Sequence, residues 1–478
     1  MRDARFKLFA AGAFVLLTAL LVHAAFSSPG YFTDPARLSG LIFMEGLLVI
    51  AWRFERRFFP LLMLVFLASG TAVPAVSVWS TLRWAVLAFG SVAGMVLYLK
   101  NYRSSFGMFH LCAAVCCITA STSAMFSNSP GASMLKSISL LLLFLYGAGG
   151  ARTVILGNRN FSKRLLQGCE LVVCFTAISY GVFNYSFFGN ANSLGAVMGI
   201  AAMPVLLWGV IIAETSSQRT RRTLFFLLAL LLCLDSYSRA SISAGLISCA
   251  FLCIGLRRYR LLFKGLAIAG IAAMLVITFR PLESGKNSDS LVNAFVYKGR
   301  PEEGLLASRK TPWDETIASI QQSPWFGTGF GTSFLGLDQK ERADALRSFA
   351  GTSREHGNSY LAIAEWVGLV GIIPFAGLIL LIVRNLWFGF LCMRRSSNLC
   401  ELFIPVCSII LAGLVGAFFE DWMFAVGSYL CVFFWSFAFM LPDLLPARGP
   451  AMDFVGEPNL LSNSSRWNPE FTPVMQGQ

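Results

Sequence analysis

A few polar residues in an otherwise apolar chain define the chemistry open to it. His356 stands in Arg-Glu-His-Gly-Asn-Ser-Tyr-Leu (354–361), just before an apolar run. Imidazole titrates near neutrality, so it can take a proton from a hydroxyl. The other two histidines, His23 and His110, lie in or beside apolar runs and read as packing residues. Arg239, in Ser-Tyr-Ser-Arg-Ala-Ser (236–241), opens one apolar run, and Arg280, in Phe279-Arg280-Pro281, closes the next. A lone arginine at such a boundary usually snorkels to lipid headgroups. Two arginines framing one hairpin offer rigid, permanently charged forks suited to a diphosphate at the membrane surface. Two further polar runs stand out, Gly-Asn-Ala-Asn-Ser-Leu-Gly (189–195) and Trp-Phe-Gly-Thr-Gly-Phe-Gly (325–331). The second lacks the βαβ context of a dinucleotide fingerprint and reads as a tight turn.

The elements that position these residues are membrane spans. Of 478 residues, 56% are hydrophobic and only 13% charged, about half the charge of a soluble domain. Apolar runs fall near 8–26, 38–52, 58–76, 84–99, 106–126, 134–150, 165–183, 194–213, 223–235, 240–256, 261–279, 359–383, 400–419 and 424–441. They are apolar on every face, which fits spanning helices and not the alternation of a spanning β-barrel. The fold class is therefore all-α, a polytopic bundle of about 12–14 spans. The first run, long for a signal peptide, reads as a retained span.

The net charge of +13 invites a nucleic-acid reading, which its distribution excludes. Alternate connections carry clusters such as Arg53/Arg56/Arg57, Arg219/Arg221/Arg222 and Arg257/Arg258/Arg260/Lys264, whereas the intervening short loops carry only Arg37, Arg83 and Arg239. By the positive-inside rule the basic set is cytoplasmic, both termini are cytoplasmic, and the five polar motifs share the outer side. Glu45, Glu170, Asp235 and Glu365 fall within spans and should face the bundle interior; Glu420 and Asp421, at an outer helix end, read as solvated. The twelve cysteines lie in spans or a cytoplasmic flank. Cys112, Cys116 and Cys117 have no accompanying histidine or carboxylate cluster and read as small buried hydrophobes.

The domain reading is N-terminal spans over 1–279, a long outer loop over 280–358, C-terminal spans over 359–442, and a disordered cytoplasmic tail over 443–478. The long loop balances ten basic against ten acidic residues, which fits a small helical cap. Thr311-Pro312 looks like an N-cap with proline at the first helical position. It predicts a helix through Gln322, and a second helix is expected over 338–349.

Over roughly 185–430 the chain resembles the O-antigen ligase and O-antigen or exopolysaccharide polymerase superfamily of bacterial inner membranes. The resemblance rests on the order of Gly-Asn-x-Asn-x-Leu-Gly, Ser-x-Ser-Arg, Pro-x-x-Gly-x-Gly-x-Gly (324–331) and the His/Asn-Ser-Tyr-Leu sequence. It implies a GT-C type glycosyltransferase with no cofactor and no metal. Such an enzyme passes a glycan from undecaprenyl diphosphate to a glycan or lipid A core acceptor at the periplasmic face. Arg239 and Arg280 would bind the donor diphosphate, His356 would be the base, and Asn192, Asn358 and Tyr360 would contact substrate. One feature departs from the family pattern. Gly357 fills the place directly before Asn358, and His356 stands one residue earlier, a shift the backbone near a helix start can absorb.

The alternative, a secondary transporter or lipid-linked glycan flippase, would use mid-depth ionisable residues such as Glu45, Glu170 and Glu365, and inverted repeats, which the sequence does not display. The charge pattern predicts that a periplasm-active reporter fused after Gly285 is active and one fused after Arg395 is silent. The reverse result at either site overturns the topology.

Overall fold

A computed structural model describes residues 58–70, 76–101, 107–156, 158, 160–183, 188, 190–279, 307–333, 355–396 and 398–446. Every regular element among them is helical: α1 Phe58–Ser69, α2 Val76–Asn101, α3 Met108–Met125, α4 Pro130–Leu156, α5 Phe161–Phe183, α6 Ala191–Ile211, α7 Ser216–Asp235, α8 Arg239–Gly255, α9 Tyr259–Phe279, α10 Ala307–Gln322, α11 Ser359–Arg395, α12 Phe403–Gly416 and α13 Tyr429–Leu444. Each predicted span from 58–76 onward coincides with one of these helices. The first two predicted spans with Glu45, the predicted helix over 338–349, Arg280, and residues 447–478 of the predicted tail lie outside the described residues. The start of that tail is corrected, since Asp443 and Leu444 end α13 and Asp443 pairs with Arg152.

Four helices, α3, α4, α6 and α11, are long and apolar enough to cross a membrane. Their surfaces show why the periodicity of the sequence is weak. On α3, Phe109, Ala113, Cys116, Ala120 and Ala124 face the core, while Leu111, Ile118 and Met125 form an exposed stripe. Both faces are apolar because one meets protein and the other meets lipid. In contrast, α12 is buried on nearly all sides and packs on α8. Cys116 and Cys117 are buried among apolar side chains, and Cys112 donates to the Pro374 carbonyl at 3.1 Å. Glu170 is mostly buried and pairs with Arg221 at 3.3 Å.

Two helices carry a π turn rich in small residues, Tyr146–Ala151 in α4 and Val197–Ala202 in α6. The first receives α2 and α13, the second α8. The widened turn of small side chains lets neighbouring backbones come close.

The departure from regular helix that matters most is in α11. Gly368, at φ 68° and ψ −178°, kinks it into two helical pieces, and the break leaves backbone groups of residues 365–370 free. The segment after α10 supplies their partners. Thr328 and Gly329 N–H donate to the carbonyls of Glu365 and Trp366 at 2.9 and 3.1 Å. Leu369 and Val370 N–H donate to the carbonyls of Pro324 and Trp325 at 2.7 and 3.3 Å. The glycine-rich run is thus the complement of a broken span, more specific than the tight turn predicted for it. From its other side Ser133 Oγ donates to the Phe330 carbonyl at 3.0 Å, Lys136 Nζ donates to the Gly331 carbonyl, and Ser127 pairs with Thr332.

α10 corrects the sequence reading at its start. It ends at Gln322 as expected but is already helical at Ala307, so Pro312 sits inside it and Thr311 is no N-cap. Proline there loses one backbone bond, and the turn before it is held by the contacts of Arg309 described below.

The Gly368 dihedrals lie in a region open essentially to glycine alone, and a Cβ there would strike the Trp325 carbonyl. Gly368→Ala should therefore cost about 1–3 kcal/mol and lower the thermal midpoint of the detergent-solubilised protein. Gly377→Ala, in the same helix with room for a methyl group, should leave it unchanged. Equal midpoints for the two variants would show that the break carries no strain.

Candidate functional site

The predicted motifs that fall in described residues converge on one end of the bundle. Gly195 of the first lies against Ser236 and Ser238 of the second, and Tyr429 Oη donates to the Ser193 carbonyl at 3.2 Å. Arg239 begins α8 after a turn in which Tyr237 adopts φ +52°, uncommon for a bulky residue. Ser238 and Ser241 hydroxyls pair at 2.8 Å beside it. Arg239 is half-buried and within electrostatic reach of Arg309 on α10. The backbone ladder at Gly368 fixes the 325–331 motif to residues 365–370 of α11, the helix that the 355–361 motif begins.

His356 lies at the centre of this end and is 0% exposed. Asp421 fixes it twice, accepting its backbone N–H at 2.9 Å and standing 3.3 Å from Nδ1. On the other side Nε2 is 3.1 Å from Glu365 Oε2, and the Trp366 ring meets the imidazole edge-on. Glu365, 1% exposed, accepts from Ser319 Oγ at 2.9 Å and from Ser333 Oγ. Burial alone would push the imidazole toward its neutral form. The hydrogen bonds and charges of Asp421 and Glu365 outweigh it and raise the His356 pKa above 6.5. For Asp421 the balance is reciprocal: burial raises its pKa, but the bonds from His356 prevail and hold it below 3.8.

The acidic residues near the ring sort differently from their order in the sequence. Glu355, next to His356 in the chain, is exposed and pairs with Arg309, while Asp421 and Glu365 flank the ring. Glu420 and Asp421 are not simply solvated: Asp421 holds His356, and Glu420 receives Arg309 Nη2 at 2.5 Å. An isolated carboxylate at a helix end faces water, but the loop after α12 folds back and meets Arg309 and the His356 imidazole.

Arg309 is the residue that sequence reasoning missed. Only 9% exposed, it bridges Glu355 at 3.1 Å and Glu420, and it packs on Gly357. Trp313, one helical turn on, donates Nε1 to the Gly357 carbonyl at 3.2 Å. With Thr316 and Ser319 also buried, the inner face of α10 is largely polar, the reverse of an ordinary amphipathic helix. The buried polar row Arg309, Thr316 and Ser319, at i, i+7 and i+10 on one helix face, is the signal that points to a site.

The remaining predicted residues serve local structure. Asn358 caps α11, accepting from the backbone N–H of Tyr360 and Leu361 at 2.8 and 3.1 Å. Tyr360 Oη donates to the Leu414 carbonyl at 2.9 Å. Asn192 is half-buried in the first turn of α6, whose cap is the Asn190 side chain. The buried indole N–H groups of Trp366 and Trp422 have no protein acceptor among the described residues. No group of three metal-ligating side chains spaced to hold an ion occurs among the described residues.

Fold and site together define a multi-pass α-helical membrane protein with a buried ionic cluster at one end of the bundle. A family model described as O-antigen ligase (Wzy_C) matches residues 224–376, a segment that includes Arg239, Arg309, His356 and Glu365. No curated protein matches the chain.

The one-residue offset of His356 from Asn358 is absorbed by Gly357, at φ +62°, whose Cα faces the Arg309 side chain. A Cβ there would lie 2.8 Å from Arg309 Nη1. Gly357→Ala should cost more than about 1 kcal/mol and, by displacing Arg309, expose Trp313. A red shift of tryptophan emission together with a lower midpoint checks this, and an unchanged spectrum contradicts it.

Proposed function

We propose that this protein is a glycosyltransferase of the bacterial inner membrane. It transfers an undecaprenyl-diphosphate-linked glycan to a sugar hydroxyl, on a growing polysaccharide or on lipid A core, at the periplasmic face. The observation that carries the reading is the gathering of Arg309 and the His356 cluster at one end of the bundle, with Arg239 within electrostatic reach of Arg309. Arg239, Arg309, His356 and Glu365 all fall inside the segment matched by the O-antigen ligase model. The outer helical cap belongs to the same proposal, with α10 as its inner wall.

The chemistry needs two things. The acceptor oxygen attacks C1 of the donor sugar, the bond from C1 to the diphosphate breaks, and undecaprenyl diphosphate leaves with the bonding electrons. Fixed cations at a low-dielectric boundary stabilise that developing charge. Arg239 and Arg309 repel one another, and an anionic diphosphate between them relieves that repulsion. Arg280, at the far end of α9, remains a proposed third contact.

The hydroxyl proton needs a destination, for which His356 is the proposed base. When the ring is neutral, Asp421 holds the Nδ1–H tautomer and leaves Nε2 to accept, on the Glu365 side. The supporting geometry is the pair of carboxylates that makes this imidazole more basic than usual. Asn192, Asn358 and Tyr360 line the same end and are proposed to contact the glycans through groups not engaged in capping.

In a transfer assay with purified protein and lipid-linked oligosaccharide, Arg239→Ala and Arg309→Ala should each lose about a hundredfold in rate. Lysine should rescue poorly, because a point charge does not replace the fork. Full activity of Arg239→Ala would return it to a headgroup-snorkelling role. His356→Gln should lose about a hundredfold. The rate should rise with pH through the elevated His356 pKa. Asp421→Asn removes a charge that raises it, so that limb should move to lower pH. An unmoved limb would exclude His356 as the titrating group.

A further inference from the structure

At the opposite end of α8 from Arg239, a cavity of about 730 Å³ is lined by Arg219, Arg257, Arg258, Arg260 and Lys264. No acidic side chain lines it, and none pairs with these five cations among the described residues. All five are exposed, and they come from the first turn of α7, the turn between α8 and α9, and the first two turns of α9. The positive-inside rule explains their number but not their gathering around one hollow.

The turn itself is unusual. Arg257 and Arg258 close α8 in a Schellman arrangement, with Arg257 N–H bonded to the Ile254 carbonyl at 3.1 Å and Arg258 N–H to the Cys253 carbonyl at 2.7 Å. The residue between cap and closure is normally glycine; here Arg257 takes it at φ +56°. An arginine is held in a backbone conformation that disfavours it, at the rim of the cavity.

The rest of the lining is apolar, including Val210, Ile211 and Leu261. Cations beside an apolar wall at the end of a membrane bundle match a phosphate attached to acyl chains. We propose that this cavity binds the headgroup of an anionic glycerophospholipid, with the chains against α6 and α9. The site is separate from the His356 cluster: α8 alone, with 17 residues, sets the two about 25 Å apart.

The test uses the full chain in neutral detergent, with lipid retention measured by native mass spectrometry against mixed micelles of phosphatidylglycerol or phosphatidylcholine. The wild type should retain phosphatidylglycerol selectively. Arg257→Gly, which relieves the turn, should keep or raise the thermal midpoint while weakening retention about fivefold, and Arg258→Gln with Arg260→Gln should weaken it about fivefold for each charge removed. Arg394→Gln with Arg395→Gln, on α11, should have no effect. The proposal fails if there is no headgroup preference or if the α11 variant weakens binding equally, which would indicate bulk charge. Displacement of the lipid by millimolar inorganic phosphate would also overturn it, because the site would then serve the free anion.

Discussion

The interruption of α11 at Gly368 is the constraint on which the rest of the site depends. A span that breaks in an apolar environment must find partners for the backbone groups it frees, since no solvent supplies them. The 324–329 segment provides them in a short reciprocal ladder. That pairing draws α10 against the N-terminal part of α11 and brings Ser319 and Ser333 onto Glu365. Glu365 then stands opposite His356. Without the break, a regular helix would satisfy itself, and the glycine-rich segment would have nothing to bind.

A second constraint follows from burying charge. Removing one member of a buried ion pair leaves the other without compensation, at a cost of several kcal/mol. The cluster is therefore built as alternating signs: Glu365, His356 and Asp421 along one line, Glu355, Arg309 and Glu420 along another. The two lines share the Glu420-Asp421 turn and the Gly357 backbone. Arg239 stands beside the second line as a like charge to Arg309, which makes this edge of the cluster the one suited to an anion.

Much of this was legible in the sequence, and the part that was not has a physical reason. The helices were readable because lipid requires long apolar runs, and the alternation of basic loops placed the motifs together. Arg239 and His356 announced themselves as polar residues at boundaries. Arg309 did not, because in a balanced stretch of ten positive and ten negative residues no single charge stands out. Its importance comes from Glu420, 111 residues later in the chain. Asp421 was hidden for the same reason, its partner lying 65 residues earlier. Thr311 misled because proline marks a helix start only when nothing upstream holds the preceding turn. Gly368 was unremarkable in an apolar helix containing several glycines, and only pairing with a distant loop gives it meaning.

The loop between α12 and α13 has a consequence in time. It supplies Asp421 to His356, Glu420 to Arg309 and the Gly427 carbonyl to Arg83, and Tyr429 at its end reaches Ser193. Each of those partners emerges from the ribosome earlier, Arg309 and His356 with only Glu355 and Glu365 to balance them. The ionic cluster therefore closes only when the last connection between the described helices arrives, so synthesis of the α12–α13 pair is coupled to site completion. A nascent chain halted before α12 carries every arginine and histidine of the site without Glu420 and Asp421, so it presents a polar, only partly neutralised cleft in the bilayer, the kind of lesion that membrane proteases and insertases detect.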